Sequence, residues 1–478
     1  MLFNSVNFLI FFILFYIFYK RSNLKTQNWL LLLGGIIFYS FWNYKMTFLL
    51  LFCIYFNYWA GILLDKSSDL PKRKKILTFT ILLNLFILFI FKYTLFMIQS
   101  INDVFAFSGG KFKLSAIEII LPIGISFYTF HNISYVYDVY KYKIHATKNL
   151  LTYGVYDLFF PLLLSGPIER AERLIPQIEN ERQITKEKFQ SGLILVIWGI
   201  FKKVFISDNL APFVNLALDP NENIPTGIVY FVAAAFAFQV YADFSGYTDA
   251  ARGMARMIGF ELSLNFNLPL FKATNPSEFW KRWHISLSTW LRDYVYIPLG
   301  GNRFGLFRQN LNLMIVWILG GLWHGATYGY LIWGIYCGLQ VVFYNLFAEM
   351  KNKSNLLKNS KVEVFFLNPF IKISFIFITF LMFGLGLLLF RVENPSHLMR
   401  LIDNASGIYI NSVFLLKFLF FISPIIVLDG LQVWKKDLEY FSSKNINPIF
   451  AYTLLIIFSI QFCLFSVFES KEFFYFQF

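Results

Sequence analysis

The sequence has few of the residue types from which soluble enzymes build reactive centres. Its 478 residues include three cysteines and five histidines. The cysteines, Cys53, Cys337 and Cys463, stand far apart within apolar runs, which fits neither a disulfide framework nor a zinc site. We interpret them as small buried hydrophobic residues. The sequence also has no Gly-x-Ser-x-Gly nucleophile motif, and no cysteine stands near a histidine.

Acidic residues are scarce as well. The chain has 28 Asp and Glu residues against 42 Lys and Arg residues, which gives a formal net charge of +14. Nucleic-acid binding would be one explanation in a soluble protein. However, 57% of the residues are hydrophobic, 21% are aromatic and the mean hydropathy is +0.56, which excludes an ordinary soluble protein. Basic loops at a membrane surface explain the charge without nucleic acid.

Long apolar runs dominate the chain. A membrane-spanning helix needs about 20 mostly apolar residues, and the runs predict about 11 to 13 membrane segments, the shorter ones being re-entrant helices. They lie near residues 5–19, 29–44, 46–64, 76–98, 115–137, 150–165, 191–215, 226–246, 310–324, 328–347, 364–390, 411–430 and 448–468. Strand-like alternation is missing from the sequence, so the predicted fold class is an all-α polytopic membrane protein. Without a Pro/Ser/Gly-rich linker, residues 1–478 are predicted to form a single membrane domain.

The distribution of basic residues predicts the topology. The first run has no basic region before it and no small-residue cleavage site, so we expect a retained helix and not a signal peptide. Lys20, Arg21 and Lys25 follow it, and five bases lie between residues 66 and 75, whereas the intervening loop has only Lys45. The positive-inside rule therefore places the N-terminus outside and the 66–75 loop in the cytoplasm.

Two charged stretches interrupt the middle of the chain. Residues 165–190 alternate acids and bases and are predicted to form a solvated cytoplasmic loop or surface helix. Residues 239–260 place Asp243 and Asp249 in or beside an apolar run, and Arg252 follows Asp249 at helical spacing. We interpret Asp249 and Arg252 as a structural ion pair.

The stretch 275–303 is aromatic and basic. The sequence Asn275-Pro276-Ser277-Glu278 predicts a helix start, with a capping asparagine, a proline at the first position and a glutamate that completes a capping box. The helix is expected to continue to about Tyr296. Trp280 and His284 then share its apolar face, and Lys281, Ser288 and Arg292 share a basic face, as in a helix at the membrane–water boundary.

Two features of this stretch have both structural and functional interpretations. His284 fits a hydrogen-bonded structural histidine and a catalytic one equally well. The residues Gly300-Gly301-Asn302-Arg303 predict a tight turn, and their backbone N–H groups would also suit a phosphate.

His324 is the only side chain between Leu311 and Phe347 expected to titrate near neutral pH. An ionisable residue inside a membrane is a functional candidate, although a histidine hydrogen-bonded between helices is the alternative. The glycines around it have small-xxx-small spacing, which predicts close helix packing and room beside His324 for a slim acyl chain; they are Gly321, Gly325, Gly329, Gly334 and Gly338.

The chemistry expected of an isolated imidazole is proton transfer. With a pKa of about 6.5, it takes the proton of a hydroxyl that attacks an acyl carbon. A two-histidine metal site would need carboxylates and spacings that the sequence does not have. The residues by themselves therefore predict base-assisted transfer in a membrane cavity.

Five segments make the chain similar to a known family. They are SFYTFHNISYVYDVY (126–140), FFPLLLSGPIERA (159–171), FQVYADFSGYTDAARGMARMIGF (238–260), NPSEFWKRWHISLSTWLRDYVYIPLGGNR (275–303) and GGLWHGATYGYLIWG (320–334). Over about residues 30–350 they resemble the membrane-bound O-acyltransferase family, in its bacterial alginate and peptidoglycan O-acetyltransferase branch. Residues 362–478 would be additional C-terminal helices. His131 stands where glutamine is expected, and we assign it no role.

The resemblance implies an activity and its participants. His324 would be the catalytic histidine, and His284 the second signature histidine on the donor side. Donor binding is assigned to Lys281, Arg292, Arg303 and Trp283. The family has a ring of helices around a central tunnel that joins the two membrane faces. Acetyl-CoA is the implied donor, and no metal is expected. The protein would lie in the bacterial inner membrane. A separate periplasmic transferase would help to deliver the acetyl group to an extracytoplasmic polysaccharide.

Two other functions fit the residues. A non-catalytic transporter of an anionic or lipid-linked solute would also use a membrane cavity and basic loops. A lipid or protein O-acyltransferase would use the same histidine with a long-chain donor. Acetyl-CoA hydrolysis or acetyl transfer by the purified protein would distinguish the proposed enzyme from a transporter. The preferred chain length of the donor would distinguish it from a lipid or protein O-acyltransferase.

Overall fold

The computed structural model describes residues 1–478 apart from 111–112, 116, 165, 220–221, 223–224, 268–271, 354–367, 393–394, 410, 438–447 and 468–478. Every regular element in the described part is helical, which confirms the all-α prediction. The chain forms two compact units, residues 1–196 with 248–263 and residues 197–247 with 264–478. The helices Lys186–Phe201 and Val229–Met257 have residues in both units.

The first unit is built mainly from N-terminal helices. Each of the first four begins at a capping side chain that accepts a hydrogen bond from a first-turn N–H group. The helices are Val6–Lys20, Leu24–Ser40, Tyr44–Lys66, Leu70–Leu88 with a π-helical continuation Phe89–Tyr93, Thr94–Phe107, Ile125–Tyr140, Leu150–Asp157 and Ala171–Glu179. Phenylalanine rings fill much of the core, and Phe160 packs edge-on against Phe11 and Phe15 at 5.5 and 5.2 Å.

The second unit holds the segments with the two histidine motifs. Its described elements are a π-helical turn Lys202–Ser207, Asp208–Leu218, Pro276–Trp280, Ile285–Leu291, a π-helical turn Arg292–Tyr296, Gly305–His324, Tyr328–Lys353, Pro369–Leu388, a short 3-10 turn Leu389–Arg391, Pro395–Asp403, Ser412–Lys435 and Pro448–Phe465. Most of Val229–Met257 also belongs to it.

Seven helical stretches in the described part are long and apolar enough to cross a membrane. They are Tyr44–Lys66, Leu70–Phe107, Lys186–Leu218, Val229–Met257, Tyr328–Lys351, Pro369–Arg391 and Ser412–Lys435, and two shorter apolar helices are Val6–Lys20 and Thr453–Phe465. Several other predicted segments form shorter elements: in the described part of the run near 150–165, the one helix is Leu150–Asp157. The protein is therefore a multi-pass membrane protein in which long and short helices are combined.

The stretch 165–190 contains a surface helix with one exposed face, as its charge pattern predicts, and most of residues 179–190 are exposed, but its other face is buried. Its helix Ala171–Glu179 fully buries Leu174 and Ile178 within the first unit. Glu169 is 1% exposed and accepts a hydrogen bond from the backbone N–H of Ser263. Arg182 donates to the Tyr19 hydroxyl at 2.8 Å. Alternating charge along the sequence conceals these inward contacts, since their partners lie far away in the chain.

Arg73, in the predicted cytoplasmic loop, is another charged residue that is buried by contacts with distant residues. Its side chain is fully buried and donates to carbonyl groups at the ends of two helices. Nη2 contacts the oxygens of Val139 and Tyr140, both at 2.9 Å, and Nη1 contacts those of Ser67, at 3.1 Å, and Leu64. One guanidinium thus satisfies carbonyl groups that the helices leave without an intrahelical partner.

Cysteine labelling at exposed positions can test the predicted membrane topology. In a Cys463→Ser background, we expect a Lys74→Cys variant to react with a membrane-impermeant maleimide only after the membrane is opened, because the positive-inside rule predicts that the basic loop faces the cytoplasm. A matched Lys45→Cys variant, also at an exposed residue, should react in intact cells. Labelling of Lys74→Cys in intact cells would reverse the predicted orientation.

Candidate active site

His324 is the last residue of the helix Gly305–His324, and its side chain is 6% exposed. The predicted close packing with Tyr328–Lys353 is confirmed. A Cβ atom on Gly321 would lie 2.3 Å from the Tyr330 carbonyl oxygen, and one on Gly334 would lie 2.5 Å from that of Trp317. Only glycine permits this approach.

The expectation that these glycines leave room for an acyl chain is wrong. The space at Gly321 and Gly334 is taken by helix backbone, and a Cβ atom on Gly325 would lie 2.1 Å from the Tyr330 ring. The glycines bring the two helices together, so a substrate beside His324 has to be accommodated by the aromatic side chains around it.

The helix predicted for residues 275–296 starts as expected but does not continue. The Asn275 side chain accepts a hydrogen bond from the Glu278 N–H at 2.9 Å, which confirms the cap. The Glu278 carboxylate accepts from the Thr274 N–H at 3.1 Å and so reaches back to the residue before the cap. The helix then ends at Trp280.

The break centres on His284. Its backbone is left-handed, with φ 44° and ψ 53°, and a new helix begins at Ile285. Two backbone hydrogen bonds to a preceding segment flank the break: Ile285 N–H to the Asn265 oxygen and Asn267 N–H to the Arg282 oxygen, both at 3.0 Å. The predicted common helical face of Trp280 and His284 therefore does not exist.

This break places the two predicted histidines together in the second unit. The ring centroids of His284 and His324 are 6.4 Å apart, and His284 is 2% exposed. Aromatic side chains enclose both rings. The centroids of Trp323, Trp333 and Phe390 lie 4.9, 5.0 and 5.3 Å from that of His324, and the centroid of Phe244 lies 4.7 Å from that of His284.

The enclosure determines the charge of His284. Burial lowers the pKa of this imidazole to about 3, so the ring is neutral at pH 7. A neutral imidazole has one N–H group and one nitrogen lone pair. His284 therefore has a nitrogen lone pair that accepts a hydrogen bond, and burial disfavours its protonation.

The residues predicted to bind the donor fall into two groups. The side chains of Lys281, Arg292 and Arg303 are exposed, and Arg292 pairs with Asp293 at 2.7 Å. Trp283 is 5% exposed and packs in an aromatic cluster, with ring centroids 5.1 Å from Phe266, 5.9 Å from Phe279 and 4.7 Å from Phe383. The cations are accessible to a charged ligand, whereas the indole supports the fold around His284.

The glycine-rich segment Gly300-Gly301-Asn302-Arg303 is a turn, as predicted. Gly300 and Gly301 have φ values of 104° and 60°, a region that favours glycine. The buried Asn312 amide donates to the carbonyl oxygens of Leu299 and Gly301 at 3.3 and 2.9 Å. The turn is thus attached to the helix that carries His324.

Sequence reasoning missed the partners of Asp243. Lys203 Nζ lies 2.8 Å from the Asp243 carboxylate and 3.0 Å from that of Asp208, and all three side chains are at most 3% exposed. The neighbouring Lys202 donates to Ser245 at 2.9 Å. Adjacent lysines inside the predicted 191–215 span were the available signal. The predicted Asp249–Arg252 pair is confirmed at 3.6 Å.

A second pair without a sequence prediction lies in the first unit. His131 Nδ1 is 3.8 Å from the Asp157 carboxylate, to which Asn132 donates at 3.0 Å. Asp157 within the predicted 150–165 run was the available signal.

Among the residues that the structure describes, no group of three His, Cys, Asp or Glu side chains is placed to hold a metal ion.

Together, the helical fold and the buried histidine pair define a multi-pass membrane protein with a candidate reaction site inside one helical unit. Residues 35–388 match the membrane-bound O-acyltransferase family, MBOAT. The chain belongs to this family and is an O-acyltransferase.

Its relatives include enzymes that modify polysaccharides. The chain is 40% identical over 400 residues to the "Probable alginate O-acetylase AlgI" of Pseudomonas aeruginosa, which covers 82% of this chain and 72% of the relative. It is 30% identical over 416 residues to the peptidoglycan O-acetyltransferase of Helicobacter pylori, covering 82% and 75%. It is 28% identical over 259 residues to the teichoic acid D-alanyltransferase of Bacillus subtilis, which covers 51% of this chain and 64% of the relative.

Proposed function

We propose that the protein transfers acetyl groups from cytoplasmic acetyl-CoA to an extracytoplasmic polysaccharide, of the alginate or peptidoglycan type. The observation that carries this proposal is the buried pair His284–His324, formed by two separated motifs in a chain similar to two O-acetylating enzymes. A separate extracytoplasmic transferase would place the acetyl group on the polymer, and the bacterial inner membrane would hold the complex.

In the proposed reaction, His324 is the base. An acceptor hydroxyl oxygen forms a bond to the acetyl carbonyl carbon of the thioester, and the carbon–sulfur bond breaks. The hydroxyl proton passes to the His324 imidazole and then to the sulfur, so that coenzyme A leaves as the free thiol. The aromatic enclosure of the site excludes water, which would otherwise hydrolyse the thioester.

The phosphate groups of the donor require cations outside this enclosure. Lys281, Arg292 and Arg303 are exposed and supply positive charge on either side of the His284 segment. Since Arg292 already pairs with Asp293, Lys281 and Arg303 would contribute more to donor binding. Trp283 would act indirectly, by fixing the segment through its aromatic contacts.

Two measurements test the proposed function. Purified protein supplied with acetyl-CoA labelled in the acetyl group should consume the thioester and release coenzyme A, and cells that also contain the transferase should transfer the label to the exported polymer. Mass spectrometry of exported polymers should show O-acetyl groups that disappear when the gene is deleted. Unchanged polymer and no thioester consumption would support a transporter instead, and a preference for long-chain donors would indicate a lipid or protein acyltransferase.

The basic side chains give a graded prediction. Lys281→Ala and Arg303→Ala should each raise KM for acetyl-CoA about fivefold, which corresponds to about 1 kcal/mol for an exposed charge contact. The effect of Arg292→Ala should be smaller because of Asp293. We expect the differences to shrink at moderate salt, since exposed charges are screened.

Steady-state kinetics in detergent at two salt concentrations provides the measurement. Lys20→Ala, which removes an exposed lysine at the end of the helix Val6–Lys20, is the matched control and should leave KM unchanged. If the Lys281 and Arg303 variants also keep the wild-type KM in both salts, the cations serve as lipid anchors and not as donor ligands.

A further inference from the structure

Asn265 approaches His284 through both its backbone and its side chain. Its backbone oxygen accepts the Ile285 N–H bond that flanks the helix break. Its side chain is 1% exposed and lies 3.4 Å from Nδ1 of His284. His284 itself has a left-handed backbone, a strained conformation for a residue other than glycine. The hydrogen bond from the Ile285 N–H to Asn265 is part of the structure that maintains this conformation.

The hydrogen bonds of Ser286 assign the orientation of the Asn265 amide. Oδ1 of Asn265 lies 3.1 Å from the Ser286 backbone nitrogen and 2.7 Å from the Ser286 hydroxyl. A backbone N–H group is always a donor. The amide atom that faces it must therefore be the oxygen, and the opposite orientation would place two donors against each other.

This orientation in turn assigns the proton on His284. The Asn265 oxygen accepts hydrogen bonds and cannot donate one, so the Nδ1 atom beside it must carry the hydrogen. A neutral imidazole with its hydrogen on Nδ1 has its lone pair on Nε2. In this tautomer, Nε2 accepts a hydrogen bond and does not stabilise a developing oxyanion by donation.

We propose that Asn265 is a positioning residue that holds His284 in the Nδ1–H tautomer, so that Nε2 is a hydrogen-bond acceptor toward substrate bound beside His324, the base. The catalytic part of this proposal rests on the proposed acyl transfer, whereas the tautomer does not. Asn265 acts through His284 and makes no substrate contact in this scheme. Removing its oxygen would release the ring to rotate and to exchange its hydrogen between the two nitrogens.

The test combines nitrogen NMR with kinetics. In detergent-solubilised full-length protein labelled with 15N-histidine, the His284 signals are identified by their loss in a His284→Gln variant. We expect wild type and Asn265→Asp, which keeps an oxygen at this position, to show a protonated Nδ1 and an unprotonated Nε2. Asn265→Leu should show a signal shifted toward the Nε2–H tautomer.

Kinetics should follow the tautomer. For Asn265→Leu we expect kcat to fall roughly 10- to 100-fold, the range found for residues that orient metal-bound histidines, while KM for acetyl-CoA stays unchanged. Asn265→Asp should retain most of kcat. Asn312→Leu is the matched control, because it removes another buried asparagine of the same unit, whose side-chain amide donates hydrogen bonds to the carbonyl oxygens of Leu299 and Gly301 and not to His284.

Several results would overturn the proposal. A wild-type His284 signal with a protonated Nε2 contradicts the assigned tautomer. So does an Asn265→Leu variant with unchanged tautomer and unchanged kcat. Equal losses in the Asn265 variants and in Asn312→Leu would mean that buried asparagines only stabilise the fold. If wild type transfers no acetyl group from acetyl-CoA, the proposed function fails, but the NMR result still decides the tautomer.

Discussion

A chain with His324 replaced by alanine is expected to insert and fold but to leave the exported polymer without acetyl groups. The imidazole lies 6.4 Å from that of His284, between ring centroids, and three aromatic rings enclose it within 5.3 Å. Loss of a proton-transfer group lowers a rate by about 10²- to 10⁴-fold. Polymer O-acetylation by mass spectrometry, normalised to protein amount in the membrane, provides the measurement.

Two further variants separate chemistry from packing. His324→Phe fills the aromatic enclosure with a ring of similar size, so it should be folded and equally inactive. His145→Ala removes a histidine whose side chain is 92% exposed and should leave acetylation unchanged. Normal acetylation in a well-expressed His324→Ala strain would falsify the assignment of His324 as the base.

The second large effect is expected on stability, at the buried ion cluster. A Lys203→Met variant retains Asp208 and Asp243, both at most 3% exposed, without the ammonium group that lies within 3.0 Å of each. Breaking a buried ion pair in this way costs about 3–5 kcal/mol, because the carboxylates stay desolvated. We expect the variant to lose most of its monodisperse protein in size-exclusion chromatography and to unfold at a lower temperature.

A surface pair provides the comparison for this cluster. Lys353 pairs with Glu349 at 3.0 Å, but its side chain is 76% exposed. Lys353→Met should change stability by less than about 1 kcal/mol, since water replaces the lost partner. If Lys203→Met behaves like Lys353→Met, the buried cluster contributes nothing to folding.

Much of the candidate site could be predicted from local sequence. His324 stands alone as a titratable group in an apolar run, and the glycines after it predict close helix packing. Asn275 and Glu278 predict a helix start that the structure contains. These signals are readable because each depends on residues within one or two turns of a helix.

The rest depended on contacts between distant residues. The helical pattern of residues 280–291 predicts an unbroken helix, yet pairing with Asn265 and Asn267 stops it at His284. The glycines beside His324 predict space, yet the backbone of the neighbouring helix and the Tyr330 ring occupy it. Asp243 was visible as a buried charge, but its partner Lys203 lies 40 residues earlier in the chain.

The sequence alone determined the class of the protein, the family motifs and the basic loops, because hydropathy, charge and helix caps are properties of neighbouring residues. Only the tertiary structure decided that His284 leaves its helix, meets His324 and contacts Asn265 through Nδ1. Hydrogen bonds and ring contacts of this kind form when distant segments pack together. Their geometry is therefore set by the whole folded unit, not by the pattern of either motif.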